Sequence, residues 1–159
     1  MIDFRPITWE NFDKCINLQL SEEQIGFLSS NVYSLAQSYV ALLNDPLPAM
    51  TFAIYYKEEV VGFIMMYYDT AEDNEYGDEA AYGILRLMFD KNYQNKGLGT
   101  KAVEKALEYI KTFPQGEASA VYVSYSPENT ASKHLFAKFG FQECGNIEEV
   151  DETIAKLLL

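Results

Sequence analysis

The sequence has little of what marks a secreted, metal-binding or membrane-spanning protein. Its 159 residues include two cysteines, Cys15 and Cys144, which lie far apart and belong to no cluster with the spacing of metal ligands. We therefore predict no metal site and two buried thiols that pack as small hydrophobic groups. No apolar run is long enough to cross a bilayer, and the first residues lack the basic and apolar regions of a signal peptide. The expectation is a cytoplasmic protein with no membrane partner.

Positive charge is also scarce. Lysine and arginine together number 12 against 24 acidic residues, which gives a net charge of −12 and an isoelectric point of about 4.4. A chain with so few cations is not expected to bind nucleic acid, whose phosphates require lysine and arginine. An acidic surface attracts a cationic substrate, although solubility alone explains the same charge. The one histidine, His134, falls on a predicted helix, where a surface position is expected.

The rest of the composition is typical of a globular protein. The chain is 48% hydrophobic and 14% aromatic, and its length suits one domain, residues 1–159, with a sizeable core. Hydrophobic periodicity predicts a mixed α/β domain that begins with a strand and two to three helices. The predicted strands are 3–7, 51–56, 60–68, 81–89, 120–124, 141–145 and 153–159, and the predicted helices are 9–20, 22–27, 32–43, 101–110 and 130–139. Asn31 and Asn129 are the predicted N-caps of the helices 32–43 and 130–139. The predicted inward residues are Val32, Leu35, Ala36, Tyr39, Val40 and Leu43 in the first of these helices, and Ala102, Val103, Ala106, Leu107 and Ile110 in the helix 101–110.

The segment from Gln94 to Thr100 carries the most specific signal. It joins the strand 81–89 to the helix 101–110 and places two glycines, with Lys96 beside them, at the start of that helix. Glycines allow a tight turn and a close approach to a ligand, and the free amides of a helix start bind phosphate oxygens. The spacing fits neither a Walker A loop nor the dinucleotide fingerprint. The alternative is a helix entrance that needs glycines only for its turn.

Two motifs resemble those of the GNAT superfamily of acyl-CoA-dependent N-acyltransferases. The loop fits Q-x-x-G-x-G, which resembles the superfamily's pyrophosphate loop, and residues 129–141 look like its N-x-x-A-x-x-x-(Y/F)-x-x-x-G-F signature. The resemblance covers nearly the whole chain and implies an α/β (α+β) fold with a central mixed, mostly antiparallel sheet flanked by helices. The segments 21–39, 61–65, 86–90 and 125–129 further resemble bacterial spermine/spermidine N-acetyltransferases.

The resemblance implies acetyl-CoA as co-substrate, bound in a gap where the strand 81–89 splays from the strand 120–124. Backbone groups of residues 87–89 would hold the pantetheine arm and the acetyl group, and an amide there, with Met88 favoured, would stabilise the oxyanion. Amides of residues 94–100 would bind the pyrophosphate. The implied cofactor-binding residues are Leu87, Met88, Phe89, Gln94, Asn95, Lys96, Gly97, Leu98, Gly99, Thr100, Asn129, Lys133 and Phe136.

The acid and the base of the transfer stay unassigned. An alkyl amine with a pKa of about 10.4 is protonated at pH 7 and must lose a proton before it attacks. Many members of the superfamily place a tyrosine, the acid for the leaving thiolate, where this chain has Phe136. Water, Tyr125 or no group at all would then protonate the thiolate. Glu79, Tyr82 and Asp90 flank the central strand, but none is indicated as the base.

Carboxylates near the amino-terminal helices are the candidates for binding a cationic amine. By resemblance these are Glu22 and Glu23, which follow Ser21 in a predicted capping box, and the acidic loop 69–79 adds further carboxylates. The expected reaction is acetyl transfer to a primary amine, a polyamine such as spermine or spermidine, by direct attack in a ternary complex. The alternatives are another small-molecule or protein amine, or a non-catalytic acyl-CoA-binding module. A homodimer is expected by analogy.

Overall fold

The computed structural model describes residues 1–159 as one sheet of seven strands with four α-helices. The strands are β1 (Ile2–Pro6), β2 (Met50–Tyr56), β3 (Glu59–Asp69), β4 (Ala81–Phe89), β5 (Ala120–Tyr125), β6 (Gln142–Ile147) and β7 (Glu152–Leu158). The helices are α1 (Phe12–Ile16), α2 (Asn31–Asn44), α3 (Leu98–Ile110) and α4 (Thr130–Ala137). Short 3₁₀ turns, Lys91–Tyr93 and Glu148–Val150, precede α3 and β7.

The sheet is mixed and mostly antiparallel, as predicted. Its strand order is β1-β2-β3-β4-β5-β7-β6, and β4 with β5 is the one parallel pair. Parallel neighbours need a crossover connection, and α3 provides it. The start of α3 therefore follows the carboxyl end of a central strand, which brings the glycine loop to the middle of the sheet.

Both faces of the sheet are covered, which explains the continuous apolar run in β3. Residues 60–66 are all buried, as expected for a strand with a core on each side. The larger core includes the buried stripe of α3, which consists of Leu98 and the predicted residues Ala102, Val103, Ala106, Leu107 and Ile110. A smaller cluster packs beside α1 and contains Cys15, Phe63, Met65 and Met88. None of the helices combines the length and the apolar character that crossing a membrane requires.

The amino-terminal segment differs from the prediction. The helix expected over residues 9–20 is limited to Phe12–Ile16, and Trp9 is exposed. Residues 21–27 form turns and no helix, so the predicted capping box is wrong. The Gln24 side chain accepts a hydrogen bond from Gln94 of the glycine loop, and this tertiary contact replaces the local bond back to Ser21.

Helix α2 begins one residue earlier than predicted and turns a different face inward. Ser30 is the N-cap, and its Oγ accepts from the Tyr33 amide at 3.1 Å. Asn31, which the sequence favours as the cap, is buried and donates to the Cys15 carbonyl at 2.8 Å. Most of the predicted inward face is in fact exposed, namely Val32, Tyr39, Val40 and Leu43. The expected burial of the cysteines is right for Cys15 and wrong for Cys144, which is exposed.

Candidate active site

The two parallel strands separate halfway along β4. Their pairing ends at Ile84 opposite Val123, after which β4 continues along β3 and β5 continues along β7. A cavity of about 700 Å³ opens between the separated ends. Its walls are the strand residues 84–89, residues 124 and 125 of β5, helix α4, and the segment before α2. The predicted gap is therefore present, and it reaches the glycine loop through Gln94 and Gly99.

A β-bulge changes the side-chain pattern of β4 at this gap. Met65 pairs with Arg86 and Met66 pairs with Ile84, so Leu85 is an extra residue on β4. Regular alternation would put Arg86 on the same face as Ile84, in the core under α3. The bulge directs the Arg86 side chain toward α2, where it hydrogen-bonds with Gln37.

The backbone groups of β4 that face the gap can be identified from one close approach. A Cβ built on Gly62 of β3 would lie 2.5 Å from the Met88 carbonyl oxygen, so the Met88 peptide groups point toward β3. In an antiparallel pair the N–H and C=O of one residue face the same neighbour. The groups of Leu87 and Phe89 therefore face the gap. The Met88 amide, which the resemblance favours as the oxyanion donor, therefore points toward β3 and away from the gap.

The glycine loop presents a row of free amides. None of the seven backbone amides from Gln94 to Thr100 donates a hydrogen bond within the protein. Gly97 is the N-cap of α3 with φ of 75°, and Asn95 has φ of 60°, so the loop curls through the left-handed region twice. Successive amides in such a loop, at the positive end of a helix dipole, suit phosphate oxygens.

Side chains fix this loop and add charge to it. Gln94 donates to the Phe89 carbonyl at 2.9 Å and also to Gln24, which ties the loop to β4 and to the segment before α2. The Lys138 ammonium donates to the Thr100 hydroxyl at 2.9 Å and so lies beside the free amides. The Lys96 ammonium lies 5.6 Å from the centre of the Tyr93 ring. Lys138 is a cation of this site that the sequence motifs do not mark.

Helix α4 forms the opposite wall. Asn129 is its N-cap, as predicted, and accepts from the Ser132 amide at 3.2 Å. Phe136 is buried in that wall, where its ring stacks on Tyr125 with a centroid distance of 6.3 Å. Lys133 does not line the cavity and forms an ion pair with Glu143 at 3.6 Å.

The Tyr125 hydroxyl is committed to a carboxylate. It donates to Glu143 Oε1 at 3.1 Å, on the same oxygen that Lys133 approaches. Burial, and then the bond to Glu143, raise the pKa of Tyr125 to about 12. Tyr125 lines the cavity, but its proton is held by Glu143 and is not easily released.

A second cavity, of about 910 Å³, adjoins the first and is rich in carboxylates. The two share the lining residues Tyr33, Gln37 and Leu85. Four carboxylates line it, namely Asp45, which follows α2, and Asp69, Asp73 and Glu75 of the acidic loop. The aromatic rings of Tyr67, Tyr68 and Tyr76 line it as well. Burial, and then the charges of the other three carboxylates, raise the pKa of Asp69. A bound cation would relieve this repulsion.

Two charged residues of the first cavity were not among the predicted site residues. Arg86 donates to Ser29 Oγ at 3.1 Å and to Gln37 Oε1 at 2.9 Å, and no carboxylate lies within ion-pair distance of it. Its Nε is buried without a hydrogen-bond partner. Glu152, at the start of β7, accepts from Ser124 Oγ at 2.8 Å. No local spacing links these residues, so no sequence pattern marks them.

The structure brings part of the predicted site together. Seven of the predicted cofactor residues line the first cavity, namely Leu87, Met88, Phe89, Gln94, Gly99, Asn129 and Phe136. Asn95, Lys96, Gly97, Leu98 and Thr100 belong to the adjoining loop of free amides. Glu22 and Glu23 are exposed on the turn before Gln24 and line neither cavity.

The arrangement of splayed parallel strands, a loop of free amides and a crossover helix is that of an acyl-CoA-dependent acyltransferase. The sequence pattern of the Acetyltransferase (GNAT) family matches residues 9–141, so the chain belongs to this family. It is an N-acetyltransferase with acetyl-CoA as co-substrate.

Individual relatives agree with this assignment. The chain is 26% identical over 149 residues to a probable spermine N(1)-acetyltransferase of Bacillus subtilis subsp. natto, covering 92% of this chain and 91% of the relative. Among solved structures, a Vibrio cholerae spermidine N-acetyltransferase in complex with CoA and spermine shares the fold with a TM-score of 0.73 and 17% identity, covering 99% of this chain and 95% of that one. An aminoglycoside acetyltransferase in complex with coenzyme A has a TM-score of 0.75 at 15% identity, covering 99% and 95%.

Proposed function

We propose that this enzyme acetylates a primary amine of a polyamine such as spermidine or spermine. The observation that carries the proposal is the second cavity, because it adjoins the acetyl-CoA cavity and is lined by four carboxylates. A polyamine has several ammonium groups, so a site for it requires several carboxylates. The names of the Bacillus relatives support the same acceptor class.

Backbone groups are proposed to make most of the contacts with acetyl-CoA. The free amides of residues 94–100 would bind the pyrophosphate, with Lys138 as a nearby cation. The gap-facing peptide groups of Leu87 and Phe89 would hold the pantetheine arm. Gln94 already occupies the Phe89 carbonyl, and Leu87 is closer along β4 to Leu85, which lines both cavities, so we assign the oxyanion-stabilising amide to Leu87. Acetyl-CoA supplies the thioester whose acetyl group is transferred.

Carboxylates and tyrosine rings of the second cavity are proposed to bind the polyamine. Asp69 is half-buried, whereas Asp45, Asp73 and Glu75 are exposed at the mouth of the second cavity. An exposed ion pair contributes about 0–1 kcal/mol and is screened by salt. The methylene chain of a polyamine would lie along the tyrosine rings, which can also bind ammonium groups through cation–π contacts.

Steady-state kinetics with matched double variants test the location of the acceptor. Asp69→Asn with Asp73→Asn removes two carboxylates of the second cavity, and we expect the Michaelis constant for spermidine to rise about 5- to 30-fold, as for a loss of about 1–2 kcal/mol. The constant for acetyl-CoA stays unchanged. Raised ionic strength increases the spermidine constant of the wild type and has less effect on the variant.

The matched control is Glu22→Gln with Glu23→Gln. These carboxylates are the site that the sequence favours, and they lie outside both cavities. If the control variant alone raises the spermidine constant, the acceptor binds at the amino-terminal turn and not in the second cavity. A wild-type enzyme that binds CoA but releases no thiol with any polyamine refutes the proposed acceptor.

A different acceptor is favoured by one observation. Arg86 is a guanidinium without a carboxylate partner, and an acceptor such as an amino acid or peptide could supply that carboxylate. An acceptor series that follows free CoA thiol separates the two candidates. Faster turnover of lysine than of a diamine of similar length would favour the carboxylate-bearing acceptor.

A further inference from the structure

Arg86 places a positive charge in a site that is proposed to bind a polycation. It lines the first cavity, and its partner Gln37 lines both cavities, so the guanidinium stands where the two cavities adjoin. The four carboxylates lie on the other side of this junction, in the second cavity. A positive charge in this position repels any ammonium group that moves from the second cavity toward the acetyl group of acetyl-CoA in the first cavity.

The guanidinium is held by uncharged hydrogen-bond acceptors and forms no ion pair. Ser29 Oγ, Gln37 Oε1 and the Leu85 carbonyl accept its hydrogen bonds, and all three acceptors are uncharged. The bulge at Leu85 is what turns the side chain toward these acceptors. Burial lowers the pKa of Arg86, but an arginine side chain stays protonated throughout the range in which enzymes work.

The groups that face Arg86 come from several elements. On α2 it faces Tyr33, and across the gap on β7 it faces Glu152, whose charge favours the guanidinium. Tyr125 of β5 lines the same cavity, and burial together with Glu143 keeps its pKa at about 12. In the adjoining cavity, burial raises the pKa of Tyr67 and of Tyr76, so these phenols are neutral as well. Glu152 is then the one negatively charged side chain that lines the first cavity.

We propose that Arg86 is a positioning residue that keeps the reacting nitrogen of the bound polyamine neutral, while the carboxylates of the second cavity hold its remaining ammonium groups. This inference rests on the proposed function. A fixed like charge lowers the pKa of a nearby amine, because it disfavours the charged form. The missing general base is thereby explained, since the amine loses its proton on binding and needs no strong base afterwards.

The step balances without another reactant. The reacting ammonium gives one proton to solvent as the polyamine binds. The neutral nitrogen then forms a bond to the thioester carbonyl carbon, and the bond from that carbon to sulfur breaks. The second nitrogen proton leaves to solvent, and the departing thiolate takes up a proton from water.

Proton release on binding tests the inference directly. Spermidine is titrated into the CoA complex at pH 8 in buffers of different ionisation enthalpy, which gives the number of protons released. We expect the wild type to release a substantial fraction of one proton and Arg86→Gln to release clearly less. Arg86→Lys keeps the charge and restores the release. Arg5→Gln, which removes an equal charge from the exposed pair with Glu58, is the control and behaves as the wild type.

The pH profile of kcat is the second readout, since kcat reports groups of the bound complex. The acid limb of Arg86→Gln moves to higher pH by about one unit, the order of shift that a single nearby charge produces in an ionisable group. Gln37→Glu neutralises Arg86 without removing it and moves the limb in the same direction, which covers the case that Arg86→Gln does not fold.

The outcomes separate this inference from the proposed function. A wild type that acetylates spermidine, with proton release and acid limb unchanged in both Arg86→Gln and Gln37→Glu, overturns the inference alone. A wild type that binds CoA and acetylates no polyamine overturns the proposed function and the inference with it. Equal loss of proton release in Arg86→Lys and Arg86→Gln also overturns it, because packing and not charge would then matter.

Discussion

Replacing Tyr125 by phenylalanine should lower stability and leave turnover nearly unchanged. Tyr125 is the one phenol in the wall beside Phe136, so it is the natural substitute for the tyrosine acid that this chain lacks. Its pKa of about 12 argues against that role. A thiol has a pKa of about 8.5, so proton transfer from this phenol to the leaving thiolate is uphill by about 3.5 units, or about 5 kcal/mol. The thiolate is therefore expected to leave without a protein acid and to take up its proton from solvent after departure.

The expected changes in Tyr125→Phe follow from its contacts. The variant keeps the ring that stacks on Phe136 and loses the hydrogen bond to Glu143. A bond to a charged group contributes about 1.5–3 kcal/mol, but the Glu143 side chain is 46% exposed and keeps its ion pair with Lys133, so a loss of about 1 kcal/mol is expected. For a domain of this size that lowers Tm by about 2–4 °C.

Melting curves and steady-state kinetics from pH 6 to pH 9 measure both effects. We expect kcat within about threefold of the wild type, because removal of a required general acid lowers the rate about 10²- to 10⁴-fold. A loss of 30-fold or more in kcat, with acetyl-CoA affinity intact, would show that Tyr125 is the acid after all. Phe136→Tyr provides the reciprocal control and should be as active as the wild type or more active.

Two further predictions concern the glycine loop and the acidic cavity. Gly97→Val and Gly99→Ala should both weaken acetyl-CoA binding in calorimetry. Gly97→Val should also lower stability by about 1–2 kcal/mol, because Gly97 has a φ of 75°. Gly99→Ala should raise stability by up to about 1 kcal/mol, because its Cβ would meet only Leu135, at 3.5 Å. Unchanged affinity in both variants refutes the pyrophosphate assignment. Asp69→Asn should stabilise the protein at pH 7, because a raised pKa means that the ionised carboxylate is unfavourable in the folded state; the gain should fade toward pH 4, where Asp69 becomes protonated. Denaturation at the two pH values measures this, and a variant less stable than the wild type at pH 7 contradicts it.

The central part of the fold could be predicted because its signals are local. The predicted bounds of β4 match the structure at both ends, and the apolar stripe of α3 has a strong helical period. The amino-terminal segment could not be predicted in the same way. Residues 21–27 carry a helix-start pattern, but the contact of Gln24 with Gln94 holds them in turns, and such long-range contacts leave no local pattern.

The candidate site likewise contains one part that local sequence reveals and other parts that only the folded chain brings together. The loop of free amides could be located from the sequence, because its glycines and the first residues of α3 are neighbours in the chain. Arg86 could not, because its orientation depends on a register shift between Met65 and Met66 of the partner strand. The second cavity also joins the end of α2 to a loop more than 20 residues later, and only the folded chain brings those carboxylates together.

The separation of β4 from β5 leaves two unpaired strand edges inside a sheet rather than at its rim. Such edges normally invite pairing with another chain, and proteins cover them with charge, bulges or other elements. We expect the peptide-like pantetheine arm of acetyl-CoA to pair with the gap-facing groups of Leu87 and with the Phe89 amide, so that the co-substrate completes the sheet. A ligand that binds only the folded state at 100 times its dissociation constant adds about 2.7 kcal/mol of stability. The cellular supply of CoA would then set how long this enzyme survives as well as how fast it works.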